Sequence, residues 1–239
     1  MRGLFVTGTD TGVGKSVLSA ALLAAMRASG ETVRAHKPVL TGLDEQAPQG
    51  SWPPDHELLG AAAGMAPEEV APLRFGPAVS PHLAAAQSGT AIDPAALVSA
   101  ARGRTTRTPT RAGAVEREGA VVVVEGVGGL LVALAEDYLV LDLARELGLP
   151  LVIAARPGLG TINHSLLSVR AARAAGVAVA AVVLTPWPRR PSPLERSNRD
   201  TIARLGEVDT EVLPLLPGPE IAGLARAGAG LPWRDWLER

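Results

Sequence analysis

The chain has 239 residues, 47% of them hydrophobic and only 3% aromatic, so its core must be built mainly from Ala, Val and Leu. A formal net charge of −1 argues against the basic stripe of a nucleic-acid binder. The absence of Cys excludes disulfides, thiolate metal sites and cysteine nucleophiles.

The opening, Met1-Arg2-Gly3 and an apolar run to Val6, lacks the apolar region of a signal peptide. No run of about 18 uncharged apolar residues follows, so a cytoplasmic protein without a membrane span is expected. Leu4 to Thr7 reads as a short buried strand, and Ser16 to Ala28 as a helix with Val17, Leu18, Ala21, Leu22 and Ala25 on one face. Thr32 to Val39 is a second strand, closed by Pro38. Helical patterns follow over His56 to Ala63 and Pro94 to Arg102. Ala120 to Val124 is a β-branched third strand, Tyr138 to Leu147 a helix, and Leu149 to Ala155 a fourth strand. Thr161 to Ala175 is a helix, Val177 to Leu184 a fifth strand, and Pro193 to Leu205 a helix. Val212 to Leu216 is a weaker sixth strand, interrupted by Pro214. Residues 45–54 and 103–113 read as solvated loops, and neither marks a domain boundary. Continuous apolar strands separated by helices predict a single α/β domain over residues 1–239, with a mostly parallel sheet covered on both faces.

Gly8-Thr9-Asp10-Thr11-Gly12-Val13-Gly14-Lys15-Ser16 lies between the first strand and the first helix. Glycines let a backbone turn tightly and present N–H groups, a helix start favours anions, and a Lys and a hydroxyl serve the outer phosphates and magnesium. Thr9 stands where the first Gly of the simple phosphate-loop pattern belongs, and Gly8 lies one residue early. Of 23 basic residues 21 are Arg, and the two lysines are Lys15 and Lys37. In a chain that places Arg almost everywhere, a retained Lys points to a site needing a compact, flexible cation.

Lys37 lies in Ala35-His36-Lys37-Pro38-Val39-Leu40-Thr41-Gly42, where the second strand ends, either as a solvated strand-end cation or as a phosphoryl-transfer group. Glu125, followed by Gly126-Val127-Gly128-Gly129, closes the third strand, either as an acidic turn residue or as a magnesium-organising acid. Asp55 reads as the N-cap of the helix after the Pro-rich loop. Gly158 to Asn163 opens a helix whose N–H groups could bind a carboxylate, with Thr161 as an alternative cap. The four histidines show no metal-ligand spacing. The clusters at 8–16, 37–42, 125–129 and 158–163 each follow a different strand, which in an open parallel sheet puts all four on one ligand-binding edge.

With those clusters in place, the chain closely resembles the dethiobiotin synthetase family. The matching segments are Val6 to Thr11 with Val13 to Ser16, Lys37-Pro38-Val39 with Thr41-Gly42, Ser80-Pro81-His82, Val124-Glu125-Gly126 with Gly128-Gly129, and Gly160 to His164. The displaced glycine is itself a feature of that family's loop. The resemblance implies a P-loop NTPase-like fold and condensation of 7,8-diaminononanoate with CO2 and ATP to dethiobiotin, ADP and phosphate. It implies Gly12, Val13, Gly14, Lys15, Ser16 and Val17 as the phosphate cradle, with Thr11 close to the reacting groups. Ser16, Asp55 and Glu125 would hold Mg2+, and Lys37 would stabilise the carbamate and the transferring phosphoryl group. Gly126, Val127 and Gly128 would lie along ATP, and Thr41 would touch the diamine. Gly160 and Asn163 belong to the element that binds the substrate carboxylate across a homodimer interface in the family. Thr185 and Pro186 stand where members selective for adenine often carry an Asn, and with Leu216 and Pro217 would border the base, which leaves other nucleoside triphosphates open as donors. Alternatives are an amide-forming synthetase of the same superfamily, weakened by the missing Cys nucleophile, and a partitioning-type ATPase, weakened by Asp10 where a signature Lys belongs. A nucleotide-binding regulator without turnover is a third.

Overall fold

A computed structural model describes residues 1–45, 52–103 and 119–239 of the chain. The strands are β1 (Gly3–Gly8), β2 (Val33–His36), β3 (Val121–Glu125), β4 (Ala133–Ala135), β5 (Tyr138–Leu139), β6 (Leu151–Ala155), β7 (Val179–Trp187) and β8 (Thr210–Pro214). The helices are α1 (Lys15–Ala28), α2 (Asp55–Ala63), α3 (Pro67–Val70), α4 (Pro81–Ser88), α5 (Pro94–Ala101), α6 (Val140–Leu147), α7 (Thr161–Ala174), α8 (Pro193–Gly206), α9 (Ile221–Ala229) and α10 (Trp233–Trp236). Among the described residues the main sheet has six strands in the order β2-β3-β1-β6-β7-β8, every pair parallel.

The strands lack polar alternation because both of their faces are buried. Along β1, Leu4 and Val6 join one core layer while Phe5 joins the other; along β3, Val121 and Val123 separate from Val122 and Val124 in the same way. Leu18 and Leu22 of α1, Leu58 and Leu59 of α2, Leu224 of α9 and Trp233 and Trp236 of α10 cover the first face. Leu97 of α5, Leu143 of α6, Val169 of α7 and Ile202 of α8 cover the second. Each fully buried Val or Leu contributes about 1.5–3 kcal/mol of transfer free energy, so many medium-sized aliphatic side chains compensate for the scarcity of aromatics.

Several expectations shift. The second strand is shorter than 32–39 and ends at His36, because the chain then turns to pair Lys37 N–H with the Val70 carbonyl and Leu40 N–H with that of Leu73. Tyr138 and Leu139 pair antiparallel with β4 rather than starting a helix, which begins at Val140. The sixth strand lies earlier than 212–216: it pairs with β7 along one side, and Pro214 occupies its last position, where a missing donor costs least. Of the two expected loops, residues 46–51 and 104–113 lie outside the described residues.

Candidate active site

Strand register assembles the site. His36 pairs with Val124 and Val6 with Glu125, so Lys37, Glu125 and the loop after β1 leave the sheet side by side. Gly8 N–H donates to the Gly128 carbonyl at 3.3 Å and Gly126 N–H to that of Val6 at 2.8 Å, which seats the glycine turn after β3 against the phosphate loop. Gly14 caps α1 at φ 91°, and Gly12 has φ 68°, both in the left-handed region where a side chain would strain the backbone. The first turn of α1 carries no acidic residue, which leaves its N-terminus attractive to an anion.

Lys15 folds back over this loop, its Nζ donating to the Asp10 carbonyl at 2.9 Å. Burial pulls its pKa below the ordinary value, with Glu125 opposing and Lys37 adding to the shift. Lys37 Nζ lies 2.6 Å from Glu125 Oε1 and 2.7 Å from Asp55 Oδ2. Burial disfavours the Lys37 charge, but the two carboxylates outweigh it and hold the pKa above its ordinary value. Burial alone would raise the Asp55 pKa, yet Lys37 foremost, with a Ser16 hydrogen bond and Lys15, brings it below the usual carboxylate value. Ser16 Oγ donates to Glu125 Oε1 at 2.9 Å.

Asp55 is not the N-cap expected from sequence. It is the first helical residue of α2, Pro54 occupies the cap position, and the carboxylate turns to Lys37 because a buried ammonium attracts it more than a helix start does.

Whether Ser16, Asp55 and Glu125 suit Mg2+ can be judged from their chemistry. All three offer oxygen, as a hard cation requires. Glu125 is fully buried, and its Oε2 has no hydrogen-bond partner, so a carboxylate oxygen is left free beside the phosphate loop. Among the described residues no group of three or more His, Cys, Asp or Glu converges. A pair of carboxylates with a hydroxyl fits Mg2+, which keeps waters and takes phosphate oxygens to complete its shell.

Thr185 is buried against the phosphate loop: a Cβ on Gly14 would lie 3.0 Å from its Cγ2 and 3.3 Å from its Oγ1. Val13 is buried and Val17 half-buried, and both support the loop from the core. Thr11 is exposed, with its N–H bound to Asp10 Oδ1 at 2.7 Å. Val127 is half-buried in the glycine turn. Thr41, half-buried, and Gly160 and Asn163, exposed at the start of α7, follow β2 and β6 on the same edge but stand outside the hydrogen-bonded cluster. Pro186 closes toward solvent after the buried part of β7, and Leu216 and Pro217 follow β8.

Two residues at this edge escape sequence reasoning. Arg156, the first residue after β6, donates from Nη2 to the Thr11 and Gly12 carbonyls at 3.2 and 3.3 Å. Asn198 of α8, 4% exposed, donates from Nδ2 to the Pro157 and Gly158 carbonyls at 2.9 and 3.1 Å. Neither sits in a motif; an Arg directly after a strand at the ligand edge was the available signal.

A family model described as an AAA domain matches residues 2–220. The ATP-dependent dethiobiotin synthetase BioD of Anaeromyxobacter dehalogenans (strain 2CP-C) is 41% identical over 229 residues, covering 95% of each chain. Its namesake from Mycobacterium avium (strain 104) is 36% identical over 99% of this chain and 98% of its own. That of Bacillus subtilis (strain 168) is 34% identical over 86% and 83%. Among solved structures, a ParA family ATPase from Chlorobium tepidum TLS aligns over 100% of this chain and 98% of its own with a TM-score of 0.50 at 11% identity, a likeness of fold alone.

Proposed function

The chain belongs to the ATP-dependent dethiobiotin synthetase family, and we propose that its site joins 7,8-diaminononanoate to CO2 at the expense of ATP, forming dethiobiotin, ADP and phosphate. The observation that carries this reading is the meeting of both lysines, Ser16 and the Asp55–Glu125 carboxylate pair at the ends of β1, β2 and β3.

One amine of the diamine adds to CO2 and loses a proton, giving a carbamate. A carbamate oxygen attacks the γ-phosphorus while the bond to ADP breaks, giving a carbamic–phosphoric anhydride. The second amine then attacks the carbonyl carbon, closes the ureido ring, and phosphate leaves. Both oxyanions meet in the second step, and two ammonium groups stabilise the negative charge gathered there. Lys15 exchanges its contact with the Asp10 carbonyl for phosphate oxygens, and Lys37, already ionised by its carboxylates, faces the carbamate and the moving phosphoryl group. Thr11 borders the reacting groups, and the N–H groups from Gly12 to Val17 cradle the phosphates. Ser16, Asp55 and Glu125 would hold Mg2+, which neutralises phosphoryl charge when bound.

Thr41 would position the diamine. Gly160 and Asn163 would receive its carboxylate at the start of α7, with a second copy of the chain completing the site. Leu159, 92% exposed, and Leu167, 59% exposed, support a homodimer along α7. Gly126, Val127 and Gly128 would lie along the nucleotide, and Pro186, Leu216 and Pro217 beside the base. The packing of Thr185 on Gly14 supports its use in backing the phosphate loop rather than in reading adenine, which favours acceptance of other nucleoside triphosphates. Strands running from Gly3 to Pro214 in one sheet support a single domain, and dependence on ATP fits a cytoplasmic setting.

Purified protein is expected to release phosphate from ATP only when the diamine and bicarbonate are both present. Equal release without the diamine overturns the assignment. Turnover with CTP and GTP within about tenfold of that with ATP, a difference of about 1.4 kcal/mol, is expected from the base reading.

A further inference from the structure

We propose that Arg156 is a positioning residue for the phosphate loop, holding the Thr11 and Gly12 carbonyls so that the next two N–H groups face the nucleotide. The proposal rests on the nucleotide-binding reading above and adds a residue to it. Arg156 is exposed, lies outside every motif, and is, among the described residues, the one Arg that hydrogen-bonds this loop.

In a trans peptide the carbonyl of one residue points opposite to the N–H of the next. A donor on the Thr11 carbonyl therefore sets the Gly12 N–H, and a donor on the Gly12 carbonyl sets the Val13 N–H. Arg156 Nη2 contacts both carbonyls at once, at 3.2 and 3.3 Å. These are the peptides most able to rotate, because Gly12 at φ 68° has no side chain to restrict it. Were either peptide to flip, a carbonyl would replace an N–H toward the phosphates and repel them. The fit is close: a Cβ on Gly12 would lie 3.2 Å from Arg156 Nη2.

The backbone that carries Arg156 is itself held on both sides. The Ala154 carbonyl accepts from Thr9 N–H at 2.9 Å, tying the end of β6 to the start of the loop. Asn198, nearly fully buried, fixes the next two carbonyls after Arg156. A path of hydrogen bonds thus runs from α8 through the segment after β6 to the phosphate loop. The path begins at the Asn198 side chain and ends on backbone carbonyls of the phosphate loop, so its effect should fall on nucleotide affinity rather than on the diamine.

Arg156→Ala and Arg156→Lys test this by titration with a non-hydrolysable ATP analogue, by steady-state kinetics and by thermal unfolding. For Arg156→Ala the analogue Kd and the KM for ATP are expected to rise about tenfold, with the KM for the diamine within about twofold. Arg156→Lys, which keeps a donor and a charge, is expected to recover most of that loss. Both variants should unfold within about 3 °C of the parent, as for a surface substitution. An unchanged analogue Kd, equal losses for ATP and diamine, or a large fall in Tm for both variants overturns the proposal. The titration needs neither diamine nor CO2, so a parent protein that binds the analogue without diamine-dependent turnover would fail the activity reading alone.

Discussion

The two lysines occupy neighbouring places and opposite electrostatic states. At the phosphate loop, Lys15 rests on a backbone carbonyl, and burial depresses its pKa. At the end of β2, Lys37 is as deeply buried, yet Glu125 and Asp55 hold its pKa above the ordinary value. The first cation rests on a neutral carbonyl with no carboxylate in direct contact, whereas the second is paired with two carboxylates. On the proposed roles, the difference separates a lysine that binds nucleotide from one that must stay charged throughout the reaction.

The largest effect is expected where that separation is broken at Lys37. Lys37→Met leaves the fully buried Glu125 without its ammonium, and unpairing a buried ion pair costs about 3–5 kcal/mol. Lys15→Met removes a cation that the fold already disfavours, so stability should stay within about 1 kcal/mol while ATP affinity collapses. Urea unfolding of the two variants side by side checks this; equal losses of stability would erase the contrast.

A charge-preserving change sharpens the same contrast in turnover. Lys37 Nζ sits within 2.6 and 2.7 Å of two carboxylate oxygens, a gap sized for a point charge and not for a planar fork. Lys37→Arg is expected to lower kcat by about 100-fold or more, in the range seen when a preorganised charge is displaced. Retention of most turnover in a single-turnover assay would show that charge alone suffices.

How much of this was readable in the chain follows from the kind of constraint each residue meets. The phosphate loop was legible because its chemistry demands Gly, Lys and Ser at fixed spacing, and β1 and α1 flank it as expected. Glu125 was legible from its place at a strand end. Asp55 was legible only through the family resemblance: by local pattern it looks like a cap, and its three-dimensional neighbour Lys37 draws it to the cluster. Arg156 was hidden by the abundance of Arg that had made the lysines conspicuous. In the fold, Tyr138 and Leu139 carried a helical apolar spacing that pairing with Ala133 and Ala135 overrode. The short α3 and α4, the pair β4–β5 and the terminal α9 and α10 went unread, since short elements take their structure from what they pack against.

A smaller effect, in stability and pH, concerns the residue before Lys37. His36 is buried, its Nε2 lacks a partner, and burial together with Arg34 lowers its pKa to about 3. The folded chain therefore refuses a proton that the unfolded chain accepts below about pH 6.5. Stability from this group is fully present above that pH and is lost as pH falls toward 3, by about 2 kcal/mol between pH 7 and pH 5. In His36→Leu that part of the acid dependence should vanish from urea midpoints measured at pH 7, 6 and 5. An unchanged slope would mean that His36 does not keep this end of β2 free of a second cation.

The smallest effect tests how far the arrangement around Lys15 depends on residues outside the loop. Asn198→Ala removes both hydrogen bonds to the Pro157 and Gly158 carbonyls, each worth about 1 kcal/mol net. The bonds hold the segment that carries Arg156, so part of the loss should reach the Thr11 and Gly12 carbonyls as looser placement of the guanidinium. The KM for ATP is expected to rise about threefold, or about 0.6 kcal/mol, while the stabilised Lys37 cluster leaves kcat nearly unchanged. In the double variant Asn198→Ala with Arg156→Ala, the two effects on ATP affinity should not add, because Asn198 acts through Arg156. Full additivity would place Asn198 in the packing of α8 alone and cut the path from that helix to the phosphate loop.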